Sequence, residues 1–438
     1  MKNDIRKLAL AILGEQEAAG KYINLAISSH RTDGLSAEER ASLTALLYTT
    51  VERRITYDYV ISAVTKRDIA KLDPYTRNVL RLGICQLAAM RSIPDFAAVN
   101  ETVKLARSSG ERSFVNGVLR AVARMNGELP LPPEEKNYRR YLSVKYSFPL
   151  WIVKRLDALL GREDTERTLS IFNGEGYTDL TVNTTKTTPA SLAGALRDFG
   201  VTVVENPDTP LSIHIPHSVN PEKLPGFSEG HFFVQDRASL LSAMALSAKQ
   251  GETVIDACAC PGGKSFASAI LMGDSGRIRS FDLHPSKLSL IVSGAERLGL
   301  NSIEADERDA TDPDPTLYGK ADKVICDVPC SGLGVLGKKA DLRYKDAESI
   351  EGLPELQYEI LSASAKYLKV GGELCYSTCT FLPEECGGVV SRFLRENSDF
   401  EPMDFTVGGL SSEGGSLTLL PHIHNTDGFF ISKLKRIK

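Results

Sequence analysis

"TVIDACACPGGKS", residues 253–265, is the stretch whose reading decides the fold of the second half of this chain. A short apolar run ends in an acid, Asp256, and passes through two adjacent glycines into a segment of helical spacing. Gly262 and Gly263 allow a sharp turn and a close backbone approach to a ligand at the start of the helix. The spacing is neither G-x-G-x-x-G nor a P-loop. The same alternation continues outward through "RIRSFDLH", a helix from Pro285, "SIEADERDAT", "ADKVICDVP", a helix around 353–368 and "GGELCYSTCT". Short apolar strands separated by helices predict a largely parallel, doubly wound sheet. Ligands of such sheets lie beyond the carboxyl ends of the strands.

The residues expected there are chemically pointed. Asp282 ends the second strand, 26 residues after Asp256, where an acid accepts hydrogen bonds from ribose hydroxyls. Asp309 follows the third strand and Asp327 ends the fourth, stiffened by Pro329. One such acid marks only a solvated strand end. Acids after three successive strands, downstream of a glycine turn, point to an adenosine pocket. Cys330, in "DVPCSGLG", and Cys379, in "YSTCT", both fall just past strands. Cys326 and Cys375, inside the apolar runs, read as buried core residues. The Gly, Ser, Thr and Pro around Cys330 and Cys379 predict exposed loops, where a deprotonated sulfur is a nucleophile.

The first half has another character. Residues 4–125 carry apolar residues at helical spacing throughout, and Ser36 with Glu39 makes a capping-box signature. "NGELPLPPEEKN" (126–137) is a proline-rich linker. Beyond it "YLSVKYSFPLWIVKRLDALLG" reads as helix, "TDLTVNTTK", "VTVVE" and "SIHI" as strands, and "TPASLAGALRDFG" as helix. The expected organisation is therefore multidomain: an all-α domain over 1–130, linker helices and a small α/β module over 138–235, and an α/β Rossmann-like domain over 236–438. "GFF" at 428–430 is expected in a buried edge strand.

Of the 438 residues 42% are hydrophobic and 25% charged, enough for packed cores and without a disordered tract. Residues 1–125 hold 19 Lys and Arg against 13 Asp and Glu, a net of +6, and the remainder nets −10. A basic half joined to an acidic half suits a polyanion on the first, with Arg81, Arg107, Arg112, Arg120 and Arg124 as candidate phosphate contacts. The N-terminal segment lacks the length of a membrane span and a secretory cleavage site, so a cytoplasmic protein with free thiols is expected. The eight cysteines lack the paired C-x₂₋₄-C spacing of structural zinc sites, and no metal is expected.

An adenosine pocket, an acid and two thiols fit one reaction. Cytosine C5 is a poor nucleophile, but a thiolate added at C6 makes it enamine-like, ready to accept a methyl group from a sulfonium donor. The C5 proton then leaves and the thiolate is expelled, and an acid near N3 balances charge on the ring. One thiol attacks, and a second assists release.

In that order "CACPGGKS", "FDLH", "DVPCSGLG" and "YSTCT" resemble the motif series of the Nop/Sun family of RNA cytosine-5 methyltransferases, S-adenosylmethionine enzymes with a Rossmann-like catalytic domain. The resemblance implies that Cys379 attacks and Cys330 assists release. It implies a methyl-donor loop at Cys258, Ala259, Cys260, Pro261, Gly262, Gly263 and Lys264, further donor contacts from Asp282, Asp309 and Asp327, and contact of Lys264 with the target base. "IPDFAAVNETVKLAR" and "FVNGVLRAV" resemble the NusB-like RNA-binding domain of the RsmB/Sun branch. "YSFPLWIVKRL", "GHFFVQDRASLL" and "TDGFFISKLKR" also look like that branch, which implies 16S rRNA as partner; separately, a monomer without stable protein partners is expected. The chain departs from the family pattern in "CACP", which adds a thiol, and in "KKADLRYK" (338–345), which lacks a proline. Two other readings stay open: a ribosome-assembly or transcription factor with vestigial catalysis, and a cytosine-5 methyltransferase acting on another RNA or on DNA.

Overall fold

The computed structural model describes residues 5–20, 22–30, 34–90 and 92–438. The chain forms two compact units, one of residues 1–170 with 339–345 and one of 171–338 with 346–438.

The first unit is helical. Its central helix, Pro74–Ala89, has proline in its first turn, and the Asp73 side chain caps it by accepting the Thr76 amide at 3.1 Å. Val79, Leu80, Leu82, Ile84 and Cys85 of this helix are fully buried. They pack with Leu43 and Leu47 of helix Ala37–Glu52, Val60 and Ile61 of Arg54–Thr65, and Val115 and Leu119 of Ser109–Ala123. The Ser36–Glu39 capping box is formed. Helices Tyr138–Tyr146 and Leu150–Leu160 also belong here. So does the segment 339–345, whose shape the missing proline left open. Its Asp341 carboxylate accepts the Ile23 amide at 3.0 Å, and Lys345 accepts the Trp151 indole N–H at 3.1 Å. Arg343 is fully buried, its guanidinium 4.2 Å from the Phe148 ring centroid.

Arg81 corrects an expectation. It is 5% exposed, with its guanidinium on Asp58 at 2.6 and 2.7 Å and on Glu17 at 3.5 Å. A group that buried, with its charge matched internally, is structural. Arg107, Arg112, Arg120 and Arg124 are exposed.

The second unit starts with a small antiparallel sheet of order β2-β3-β1-β4, where β1 is Thr178–Val182, β2 Val204–Glu205, β3 Ser212–Ile215 and β4 Phe232–Val234. β2 is shorter than its β-branched run predicts because it pairs on one side only and stays exposed. Helix Arg237–Leu246 follows, capped by the Asp236 side chain.

The main sheet runs β10-β14-β9-β8-β5-β6-β7. Its parallel strands are β5 (Thr253–Asp256), β6 (Arg277–Asp282), β7 (Ile303–Glu307), β8 (Ala321–Asp327) and β9 (Leu368–Thr378). After β10 (Phe400–Pro402), β11 (Thr406–Val407) and β12 (Leu410–Ser411) form a separate two-stranded sheet, and β13 (Ser416–Leu419) leads to β14 (Phe429–Arg436). β14 is not the expected edge strand: it pairs antiparallel with β9 on one side and with β10 and β13 on the other. Full pairing on both sides explains the burial of Phe429, Phe430, Ile431 and Leu434.

Replacing Arg81 by methionine strands the Asp58 and Glu17 carboxylates, and should lower stability by about 3 kcal/mol. Urea denaturation checks this, and RNA affinity, measured on the same protein, should not change.

Candidate active site

The strand order reverses between β5 and β8: the chain runs outward through β5, β6 and β7, then returns to lay β8 on the other side of β5. At such a reversal the connections leaving two neighbouring strands diverge, which opens a crevice at their carboxyl ends. The glycine turn leaves β5 there, and Asp327 with the Cys330 loop leaves β8.

Gly262 has φ +110°, closed to side-chain-bearing residues, and a Cβ on it would overlap the Phe266 ring. The helix Gly263–Leu271 then buries Lys264, 8% exposed, among charges. Its ammonium lies 2.6 Å from Asp327 Oδ2 and 3.0 Å from Ser239 Oγ, with the Phe429 ring centroid at 5.2 Å. Burial alone would lower the Lys264 pKa, but Asp327, with Asp256 and Cys379, outweighs it and holds it above the ordinary value. The other oxygen of Asp327 accepts the Ser377 hydroxyl at 2.7 Å. The segments carrying Ser239 and Phe429 are tied together by Lys338, which donates to Asp236 at 2.5 Å and to Asp427 at 3.0 Å.

Cys330 and Cys379 meet, their sulfurs 3.1 Å apart. Both are half-buried rather than in the exposed loops expected. The reason is glycine packing. Gly334 donates its amide to the Cys379 carbonyl at 3.0 Å, and Gly428 donates to the Gly334 carbonyl at 2.9 Å. A Cβ on Gly334 would overlap the Gly428 carbonyl, and one on Gly428 would press into Phe381. Three loops thus close over the sulfurs. The hydrogen bond with Cys379, then burial, pushes the Cys330 thiol well above its usual pKa.

The other residues singled out from sequence divide in two groups. Asp282 ends β6, half-buried, accepting the His284 amide on Oδ1 at 3.0 Å. Asp309 is exposed beyond the edge strand β7, three positions from β8, with Oδ1 engaged by Thr311. The sulfurs, Lys264 and Asp327 cluster, whereas Asp309 stands at the far side of the strand ends. Cys326 and Cys375 are buried in β8 and β9 as expected. Burial also raises the Cys258 and Cys260 thiols, so the cysteine peculiar to "CACP" adds no thiolate at neutral pH. Sequence reasoning missed Ser239 and Ser377 as partners of the Lys264–Asp327 pair. Ser377 was within reach, two residues before Cys379, but Ser239 reaches Lys264 only through the fold.

The description of the family "16S rRNA methyltransferase RsmB/F" matches residues 243–435, and that of the NusB family matches 3–124. The chain is 36% identical to the probable ribosomal RNA small subunit methyltransferase B of Synechocystis sp., over 98% of this chain and 99% of that one. It belongs to the RsmB/F family of 16S rRNA methyltransferases. The RsmB/F relative from Bacillus subtilis, carrying the same name, is also 36% identical, over 99% of each chain. The crystal structure of PH0851 has a TM-score of 0.78 at 28% identity and covers 99% of this chain and 98% of its own. For this RsmB/F member the sequence expectations of a NusB-like helical domain and a Rossmann-like methyltransferase sheet hold.

Asp256 lies behind the site, 1% exposed, accepting the Ser265 hydroxyl at 2.7 Å on one oxygen while the other is buried without a partner. Burial pushes its carboxyl up to about 7. The folded protein therefore binds a proton that the unfolded chain has released, and stability falls as pH rises from about 4 to about 7. Asp256→Asn should remove this slope, gaining about 2 kcal/mol on the wild type between pH 5 and 6.5. Denaturation midpoints of both proteins across that range check it.

Proposed function

We propose that this chain methylates C5 of one cytosine in 16S rRNA with S-adenosylmethionine. In this reading Cys379 is the nucleophile and Cys330 assists release. The observation that carries the reading is the meeting of two sulfurs at 3.1 Å beside the part-buried Lys264–Asp327 ion pair.

The asymmetry of the two thiols favours the assignment. Cys330 is held protonated by its bond to Cys379, by burial and by the carboxylates of Glu385 and Asp327. The Lys264 ammonium interacts with Cys379, whereas the charges acting on Cys330 are negative. Cys379 then adds to C6 of a base extruded from loop or single-stranded RNA, where unstacking costs least. Lys264 and Asp327 face the pyrimidine and balance the charge that builds up on its ring. Bound S-adenosylmethionine supplies an electrophilic methyl group, which C5 accepts. As the Cys379–C6 bond breaks, the Cys330 thiol gives its proton to the departing Cys379 sulfur 3.1 Å away and takes up the proton lost from C5, which restores the ring.

The donor site comprises the turn Cys258, Ala259, Cys260, Pro261, Gly262, Gly263 and Lys264, with Asp282, Asp309 and Asp327. The positive φ of Gly262 and the half-buried carboxylate ending β6 suit a nucleoside held at the switch point. In the helical unit, Arg107, Arg112, Arg120 and Arg124 take rRNA phosphates. The enzyme acts in the cytoplasm as a monomer, with domains over 1–130, 138–235 and 236–438. Among the described residues no helix is long and apolar enough to cross a membrane.

Cys379→Ala should abolish transfer of labelled methyl to rRNA, and Cys330→Ala should accumulate a protein–RNA adduct that survives denaturing electrophoresis. An inactive, adduct-free Cys330→Ala beside an active Cys379→Ala would reverse the two roles. Bisulfite mapping of 16S rRNA from cells lacking the protein should show one missing 5-methylcytosine. Changing Arg107, Arg112, Arg120 and Arg124 together to alanine should weaken rRNA binding by about tenfold or more and flatten its salt dependence. Donor affinity should be unchanged in that variant.

A further inference from the structure

Cys330 owes its position to groups that the reaction itself does not use. Two peptide groups flank its Cα: one begins with the Pro329 carbonyl, the other ends in the Ser331 amide N–H. The Gln357 side-chain amide donates to the Pro329 oxygen at 2.9 Å, and the Ser331 amide donates to Glu385 Oε2 at 2.8 Å. Gln357 also donates to that same Glu385 oxygen, at 2.9 Å. Both backbone torsions of Cys330 are thereby tied to one buried pair, with Gln357 fully buried and Glu385 1% exposed.

Glu385 sits in the excursion after β9 that also carries Cys379. Its amide donates to the Leu382 carbonyl at 3.0 Å, and its carbonyl accepts the Tyr376 hydroxyl at 2.7 Å. The pair therefore sets one sulfur-bearing loop against the other. It does so at a cost, since Oε1 of Glu385 and Oε1 of Gln357 are both buried without hydrogen-bond partners.

We propose that Glu385 and Gln357 are positioning residues for product release, holding Cys330 against the Cys379 sulfur. The proposal rests on the reading of Cys330 as the release residue. The Glu385 carboxylate also contributes to keeping the Cys330 thiol protonated, after the hydrogen bond with Cys379 and burial. It acts on Cys330 by geometry and by charge, and the two effects are separable. Glutamine at 385 keeps an acceptor oxygen and removes the charge, whereas alanine removes both.

The test uses full-length protein, 16S rRNA and S-adenosylmethionine, with Cys330→Ala as reference. Glu385→Ala and Gln357→Ala should leave first-turnover methyl transfer within about threefold of wild type. Their steady-state turnover should fall by about tenfold or more, and the covalent adduct should accumulate, because displacing a reacting group by a fraction of an ångström costs rate steeply. Glu385→Gln should recover most of the turnover. In RNA-free protein carrying Cys379→Ser, Glu385→Gln should lower the pH midpoint for iodoacetamide alkylation of Cys330, a readout that survives if the alanine variants do not fold. An adduct with Cys330→Ala but none with Glu385→Ala or Gln357→Ala overturns the positioning proposal, as does an unmoved alkylation midpoint. If Cys330→Ala forms no adduct, the release reading beneath the proposal fails instead.

Discussion

A reversal of strand order between β5 and β8 governs the rest of this molecule. It sets the glycine turn that follows Asp256 beside the loop that follows Asp327, across the crevice at their carboxyl ends. β9 then lies next to β8, so Cys379 emerges one strand away from Cys330. Residues 49 positions apart in sequence meet because parallel neighbours end at the same level of the sheet. The antiparallel β14 closes the arrangement, and its leading Gly428 fits under Gly334 with no room for another atom.

The electrostatics of the crevice follow from its burial. One ammonium, Lys264, stands among Asp327, Asp256 and Cys379. Burial raises the Asp256 carboxyl to about 7, the hydrogen bond with Cys379 and then burial hold Cys330 protonated, and the negative groups around Lys264 keep its ammonium charged despite its own burial. Of the two sulfurs, Cys330 carries the hydrogen bond and the burial that hold it protonated.

Much of this was legible along the chain because it is local. Helical spacing over the described residues of 4–125, which leave out 4, 21, 31–33 and 91, the capping box at Ser36, the glycine turn and the alternation of strands with helices express short-range sterics and burial, and each stands where the spacing predicts it. Arg81 and "GFF" misled for one reason: their settings depend on partners far away in sequence. Arg81 reads as a basic residue on a helix until Asp58 and Glu17 arrive from other helices. β14 reads as a terminal edge until β10 and β13 pair with its outer side.

By itself the sequence determined that a helical basic half precedes a doubly wound sheet, and that acids and two cysteines stand at strand ends. These are properties of residue type and spacing, which act within a few positions. Tertiary structure alone decided that the two sulfurs touch, that Asp327 bonds Lys264 rather than facing solvent, and that Ser239, Gln357 and Glu385 support the site. Those outcomes depend on loop packing measured in tenths of an ångström, between segments separated by up to 63 residues, and no local pattern encodes such distances.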